Sequence, residues 1–284
     1  MTRLALFLMW LLHGLPQPLL AACGRAFGRL FFLFGRERRE VALTNLRLCF
    51  PALSEAERSA LARRHFAAFG RSFLERGILW WASPQRIRRL IALEGLERIP
   101  RDRPVILLAP HFVGLDMGWT RLCLELDMVS LYANQKNPHF NAALYRGRLR
   151  FGHSELLSRQ EGTRRAIRAM QAGKPFYYLP DLDYGPRDAI FVPFFGVPAA
   201  TITGLSRLSR LTGAAVVPVV TRMTEQGYRV EIGAAWQDFP GESIEADTRR
   251  MNAFIEEEVR KSPEQYFWLH KRFKTRPPGE KRLY

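Results

Sequence analysis

Cysteine and histidine are both scarce in this chain of 284 residues. The three cysteines are an odd number without paired spacing, which indicates neither a disulfide framework nor a zinc knuckle and fits a reducing compartment. The six histidines include no HExxH sequence and no Cys/His cluster, so metal ligands are not grouped along the chain. We therefore predict no metal site.

Acidic residues are few relative to basic ones: 27 Asp and Glu stand against 43 Lys and Arg, for a formal net charge of +16. Such an excess predicts an anionic partner, which can be nucleic acid, acidic lipid or an acidic protein. Aromatic side chains recur beside arginines, as from Phe31 to Arg39 and from Trp80 to Arg89, a mixture typical of a lipid headgroup boundary. A basic face exposed only to solvent has the same composition.

A membrane-tethered nucleic-acid-binding protein is the alternative from a different class. Only the net charge and the interleaving of arginine with aromatic residues favour it, and the sequence contains no recognised RNA- or DNA-binding module. We therefore expect an anionic membrane surface, and no nucleic acid, as a partner.

No charged residue occurs from Leu4 to Gly24, a stretch about as long as the ~20 residues that a spanning helix needs. Two prolines interrupt it, so its strongest apolar part is Leu4 to Leu12, and a kinked or interfacial helix competes with a true span. A cleaved secretory signal that ends before Cys23 is a third interpretation. Because arginines cluster after this stretch, the positive-inside rule predicts that the rest of the chain is cytoplasmic. We expect residues 1–35 to be a membrane anchor or interfacial segment and residues 36–284 to form the main domain.

Short apolar runs alternate with amphipathic stretches through the rest of the chain. Residues 53–92 predict helix, beginning at a capping box formed by Ser54 and Glu57. The predicted strands are Val105–Ala109, Val129–Ala133, Phe176–Leu179 and Val216–Val220. The other predicted helices are 116–126, 139–150, 162–172, 201–211 and Ile244–Lys261. This alternation indicates an α/β fold with a sheet flanked by helices.

The first predicted strand runs into a segment in which His111 and Asp116 lie five positions apart, beside Gly114. Open α/β sheets place their sites at the carboxyl edge of the strands. If His111 lies in the turn before the helix, Asp116 can orient its ring, and the ring can take a proton from a hydroxyl group that attacks a thioester. We therefore predict His111 as the general base and Asp116 as the carboxylate that orients it.

The sequence HFVGLD, from His111 to Asp116, resembles the His-x4-Asp/Glu motif of glycerolipid and lipid A acyltransferases. Longer segments resemble the late acyltransferase family of lipid A biosynthesis, of the lauroyl and myristoyl type, and they extend over nearly the whole chain. These segments are Asn45–Pro51 with Leu53-Ser-Glu, Pro180–Pro186, Phe191–Gly196 and Pro263–Pro277. Many members of the family carry Glu where this chain has Asp116. The aspartate side chain is shorter, so its reach toward His111 is less, but the same role is implied.

The resemblance implies a mixed sheet of the glycerolipid acyltransferase type and makes residues 36–284 the acyltransferase domain. It implies acyl carrier protein as donor, and a phosphorylated lipid A precursor of the Kdo-lipid IVA type as acceptor. Because the donor thioester already carries the activation, we expect no required cofactor. The expected location is the cytoplasmic face of the bacterial inner membrane. A lysophospholipid acyltransferase that uses the same His-x4-Asp pair is the alternative enzyme.

The resemblance also indicates a required arginine at Arg148, with Arg146 and Arg150 as rivals, and a guanidinium there can bind phosphate with two hydrogen bonds. Asp181 and Asp183 follow the third predicted strand at the sheet edge, where either can position substrate.

Residues 161–164 spell the Glu-Gly-Thr-Arg motif that related glycerolipid enzymes carry in another loop. We interpret the match as coincidental, and we expect Arg164 to contact an anion near a helix start.

The basic C-terminal run has the charge density of a disordered tail. Its interleaved aromatics favour instead a packed segment that presents Arg272, Lys274 and Arg276 to phosphate, with His270 packed rather than catalytic.

Overall fold

The structure is a computed structural model that describes residues 2–158 and 162–284. Its α-helices are α1 (Thr2–His13), α2 (Gln17–Phe34), α3 (Arg36–Cys49), α4 (Glu55–Trp81), α5 (Pro84–Leu90), α6 (Leu115–Leu122), α7 (Pro138–Arg148), α8 (Gly162–Gln171), α9 (Gly204–Thr212) and α10 (Ile244–Lys261). Its strands are β1 (Ile91–Glu94), β2 (Val105–Leu108), β3 (Val129–Tyr132), β4 (Glu155–Ser158), β5 (Phe176–Tyr178), β6 (Ala189–Phe194), β7 (Val197–Ile202), β8 (Ala215–Met223) and β9 (Tyr228–Ile232).

A seven-stranded sheet in the order β1-β9-β8-β2-β5-β3-β4 forms the centre of the fold. Its neighbouring strands are parallel except for β8 and β9, which are antiparallel, and β6 pairs with β7 as a separate antiparallel hairpin. The predicted mixed sheet flanked by helices is confirmed.

Strand β2 shows why the middle of the sheet is apolar on both faces. Ile106 and Leu108 belong to a core that includes residues of α3, α8, α9 and α10, whereas Val105 and Leu107 belong to the opposite core, with residues of α1, α6 and α7. Alternate side chains of a strand point to opposite faces, so a strand covered by helices on both sides must be apolar throughout.

Several predicted elements have different bounds in the structure. The capping box at Ser54 and Glu57 is present, but the helix ends at Trp81, and Ser83 caps the separate helix α5. The helix predicted over 201–211 begins only at Gly204, because the residues before it pair as β7.

The uncharged N-terminal stretch is divided between α1 and α2, which are separated around Pro16. Helix α2 packs backbone to backbone on α4: a Cβ atom on Gly28 would lie 2.0 Å from the Phe66 carbonyl oxygen, and one on Gly70 would lie 2.4 Å from that of Gly24. Only glycine permits such an approach. Within the described part of the chain, no single helix is long and apolar enough to cross a bilayer, and α2 with α3 reaches the necessary length and hydropathy only as a pair bent by 91°.

The C-terminal segment after α10 is packed against the rest of the molecule. Trp268 and Phe273 are fully buried, and the Asn45 side chain of α3 donates hydrogen bonds of 2.8 Å to the carbonyl oxygens of Trp268 and His270. A packed segment, rather than a disordered tail, is therefore confirmed.

Candidate active site

His111 and Asp181 meet because of the register between β2 and β5. Leu108 pairs with Tyr178, and His111 and Asp181 each lie three residues beyond that pair at the carboxyl edge. The His111 Nδ1 atom lies 2.6 Å from Asp181 Oδ1, and the His111 backbone N–H donates to Asp181 Oδ2 over 2.8 Å. One carboxylate therefore binds both the ring and the backbone of the histidine.

Asp181 is fully buried, which by itself raises the pKa of its carboxyl group. The neighbouring His111, through its charge and its hydrogen bonds, outweighs burial and leaves the pKa of Asp181 below its usual value. An ionised carboxylate can only accept a hydrogen bond, so the contact with Asp181 requires a proton on His111 Nδ1. We therefore assign the neutral ring the tautomer with the proton on Nδ1. Nε2 is then the basic nitrogen.

The turn that carries His111 is fixed by the C-terminal segment. The Val113 backbone N–H donates to the Gln265 carbonyl oxygen over 2.8 Å, and the Phe267 N–H donates to that of His111 over 2.9 Å. The Phe267 ring also stacks on the imidazole, with 6.5 Å between the ring centroids. The orientation of the His111 ring therefore depends on a segment more than 150 residues away in sequence.

Asp116 does not occupy the predicted position beside the His111 ring, and that expectation is wrong in this structure. Its Oδ1 atom accepts from Arg148 Nε and Nη2 at 2.9 and 2.6 Å, while Arg76 Nε lies 2.8 Å from Oδ2 as an ion pair. The reason is geometric: Asp116 lies in the first turn of α6, which faces α4 and α7, whereas the turn before α6 directs His111 toward β5.

Two guanidinium groups hold Asp116 ionised. Burial alone raises the pKa of its carboxyl group, but Arg148 and Arg76 outweigh burial and hold the pKa at about 2. Gly118 allows this arrangement, because a Cβ atom there would lie 2.1 Å from Thr221 Oγ1 on β8, so α6 lies directly on the sheet. The Trp119 indole N–H donates to the Arg148 carbonyl oxygen over 2.8 Å, which ties the end of α7 to α6.

A cavity of about 1300 Å³ opens at this edge of the sheet, and His111, Asp116 and Arg148 line it. Much of the remaining wall is apolar or aromatic: Phe69, Phe73, Trp119, Leu131, Phe140, Leu144, Leu156, Ile167 and Phe267. An apolar cavity with a few convergent polar groups suits a ligand with a hydrocarbon portion and one reacting polar group.

A second set of arginines lines the same cavity on the side of α8 and α9. It consists of Arg164 on α8, Arg187 in the segment after β5, and Arg207 on α9, and all three are exposed. Arg164 therefore lies where an anion can reach it, and that it contacts one stays a prediction. Glu161, the first residue of that motif, lies outside the described residues.

The remaining predicted substrate contacts need correction. Asp183 is buried, and its carboxylate accepts from the Thr275 backbone and hydroxyl over 2.6 and 2.8 Å, because the segment after β5 folds against the C-terminal segment. Arg272 is also buried and donates to Thr201 Oγ1 over 2.9 Å, while Arg276 donates to the Pro198 carbonyl oxygen over 2.6 Å. Both arginines hold the β6–β7 hairpin rather than line the cavity, and Lys274 is exposed outside the cavity wall.

Sequence reasoning missed Arg76 and the partnership of Asp181 with His111. Phe69, Phe73 and Arg76 are spaced so that they lie on one face of α4. This spacing could have indicated that Arg76 faces the same cavity as the two phenylalanines. The partnership required the strand order, which places β5 beside β2.

The described residues contain no group of three or more His, Cys, Asp and Glu side chains placed to hold a metal ion. That no cofactor is required stays a prediction.

At the carboxyl edge of this α/β sheet, a histidine bound to a buried carboxylate adjoins a largely apolar cavity, an arrangement that suits general base chemistry on a lipid-like substrate. Residues 1–275 match the family model described as bacterial lipid A biosynthesis acyltransferase, and the chain belongs to that family. The predicted enzyme class, an acyltransferase of lipid A biosynthesis, is confirmed.

Two relatives come from Escherichia coli strain K12. A lipid A biosynthesis lauroyltransferase is 35% identical over 98% of this chain and 93% of its own length. A lipid A biosynthesis palmitoleoyltransferase is 34% identical over 100% of this chain and 94% of its own length. A solved structure of a 1-acyl-sn-glycerophosphate acyltransferase from Thermotoga maritima aligns with 84% of this chain and 97% of that one, at 16% identity and a TM-score of 0.38.

Proposed function

We propose that this protein transfers a fatty acyl chain from an acyl carrier protein thioester to a hydroxyl group of a phosphorylated lipid A precursor of the Kdo-lipid IVA type. The observation that carries the proposal is that His111, bound to the buried Asp181, lies on the wall of a large apolar cavity that also presents arginines. The cavity suits hydrocarbon chains, and the arginines suit an anionic headgroup.

In the proposed reaction, His111 Nε2 takes the proton of the acceptor hydroxyl as its oxygen attacks the thioester carbonyl carbon. The tetrahedral intermediate then collapses, the carbon–sulfur bond breaks, and the carrier thiolate takes the proton from the imidazolium. Asp181 stabilises the imidazolium that forms between these two steps. The thioester already carries the activation, so the protein supplies proton transfer, orientation and charge stabilisation.

Asp116 has a different part in this proposal from the one its spacing predicts. It holds Arg148 and Arg76 at the cavity wall, where two guanidinium groups against one carboxylate leave a net positive charge. We assign Arg148 to an anionic group of the substrate and Asp116 to its positioning.

The N-terminal helices support a location at the cytoplasmic face of an anionic inner membrane. Ten of the thirteen large hydrophobic side chains exposed among the described residues belong to residues 4–34, including Leu4, Phe7, Leu11 and Leu33. Exposed apolar area of this density with neighbouring arginines is typical of a membrane-binding surface. Vesicles of anionic phospholipid should retain the protein in high salt, and Leu8→Asp with Leu11→Asp should release it.

The function is tested with the full chain in detergent micelles, an acyl carrier protein donor and a Kdo-lipid IVA type acceptor. Mass spectrometry should show an acceptor in which one acyl group has replaced one hydroxyl hydrogen, with release of the free carrier thiol. His111→Ala should abolish the product, and His139→Ala, which removes an exposed histidine of α7, should not. Transfer to a lysophospholipid with none to the lipid A precursor would contradict the proposal and favour the glycerolipid alternative.

A further inference from the structure

We propose that Arg164, Arg187 and Arg207 form an anion site at the cavity mouth that binds a phosphate monoester of the acceptor lipid, separate from Arg148. The inference rests on the proposed function, because it names the group that holds one end of that acceptor.

The two arginine sets of the cavity differ in how much of their charge is neutralised. Arg148 and Arg76 share the buried carboxylate of Asp116. In the other set, Arg207 lies 3.8 Å from Asp188 as an exposed ion pair, and neither Arg164 nor Arg187 has a hydrogen bond or ion pair with any described residue. Among the residues that the structure describes, this side of the cavity therefore carries three positive charges against one negative charge.

Hydrogen bonds fix the backbone of the segment that carries Arg187 against the start of the helix that carries Arg207. The Asp188 carbonyl oxygen accepts from the Thr203 backbone N–H over 3.1 Å and from its hydroxyl group over 3.3 Å, which ties the segment with Arg187 to the start of α9. Asp188 adopts a left-handed φ of 57° in this turn, which an aspartate tolerates better than most residues. A site whose backbone is already fixed loses less entropy when it binds.

The surroundings indicate a lipid that carries phosphate. Leu211, one helical turn after Arg207, is 70% exposed and lines the same cavity, so an apolar side chain adjoins the arginines at the opening. A phosphate monoester carries close to two negative charges at neutral pH, whereas the phosphodiester of a carrier prosthetic group carries one. The net charge of this set therefore favours the acceptor over the donor.

The test compares the steady-state kinetics of the wild-type full chain with those of the double variant Arg187→Gln and Arg207→Gln, both in micelles. The acceptor is the lipid A precursor, either with its phosphates intact or after phosphatase treatment. The acceptor KM is measured at a saturating concentration of donor, and the donor KM at a saturating concentration of acceptor. A matched control replaces two exposed arginines outside the cavity wall, Arg168→Gln with Arg249→Gln.

We expect the acceptor KM to rise roughly 10- to 100-fold in the double variant, with kcat and the donor KM little changed, because charge-assisted hydrogen bonds to phosphate are lost. The phosphatase-treated acceptor should show no difference between the two proteins. Arg164→Gln should add to the effect, and the control pair should match the wild type.

An unchanged acceptor KM, an equal loss with the phosphatase-treated lipid, or a rise in the donor KM instead would overturn the arginine site while wild-type transfer upholds the proposed function. If the wild type itself transfers nothing to the intact acceptor, the proposed function fails, and this site fails with it.

Discussion

Asp116 and Asp181 are two buried carboxylates at one edge of one sheet, and each has a pKa below its usual value. Asp181 binds an imidazole, whereas Asp116 binds two guanidinium groups. Asp116 is five residues from His111 in sequence and Asp181 is seventy, yet the distant one is the partner. Strand register, rather than proximity along the chain, determines which carboxylate binds His111.

Removing the base should have the largest effect. His111→Ala is expected to lower kcat on the order of 10²–10⁴-fold, since the acceptor hydroxyl then stays protonated as it attacks. Acyl transfer by folded protein, with circular dichroism equal to the wild type, is the measurement. Near-normal turnover in that variant would mean that His111 is not the general base and that Asp181 orients no catalytic group.

The second effect separates the two carboxylates. Asp181→Asn should reduce kcat by about 10²-fold or more, because an amide no longer stabilises the imidazolium and can impose the wrong ring tautomer. Its backbone bond to His111 can be kept by the amide oxygen, so the fold should survive. Asp116→Asn should reduce kcat less than Asp181→Asn does, and the opposite order would break the comparison.

The third effect concerns Arg148, one of the two arginines that pair with Asp116. Arg148→Ala should raise the acceptor KM by roughly tenfold, about the value of one charge-assisted hydrogen bond, with less effect on the donor KM. Kinetics with each substrate varied in turn measure this difference. Arg146→Ala is the matched control, since Arg146 is exposed on the same helix and lies outside the cavity wall.

The smallest effect is on stability at acid pH. The pKa of Asp116 is about 2 in the folded protein against an ordinary 3.8, so on acidification the unfolded chain takes up this proton first. The stabilisation, about 2 kcal/mol at most, is present above pH 3.8 and is lost as the pH falls toward 2. Urea unfolding between pH 5 and pH 2 should therefore depend less on pH in Asp116→Asn, and an unchanged slope would contradict the paired state of Asp116.

Local patterns along the chain were sufficient to predict many of the helices and the buried central strands. The capping box at Ser54 and the bounds of α10 agree with the structure because caps and helical periodicity are determined by neighbours in sequence. Strands β1, β4, β6, β7 and β9 were missed because they are only partly buried and lack the continuous apolar run by which the buried strands were found.

The site was only partly predictable, for a different reason. His111 and Arg148 were found from a motif and a resemblance, and both line the cavity. The partner of His111 depends on β5 lying beside β2, a long-range pairing that no local pattern specifies. Arg272 was misassigned because charge suggested solvent exposure, whereas backbone and hydroxyl oxygens of β7 satisfy its guanidinium inside the fold.

The most direct test of the central claim is nuclear magnetic resonance of the His111 ring in protein labelled with ¹⁵N-histidine. His111→Gln identifies the signals, and wild type, Asp181→Asn and Asp116→Asn are compared at neutral pH. We predict a hydrogen-bonded Nδ1–H proton in the wild type that persists in Asp116→Asn and disappears in Asp181→Asn. Loss of that signal in Asp116→Asn, with retention in Asp181→Asn, would contradict the assignment of Asp181 as the carboxylate that orients the base.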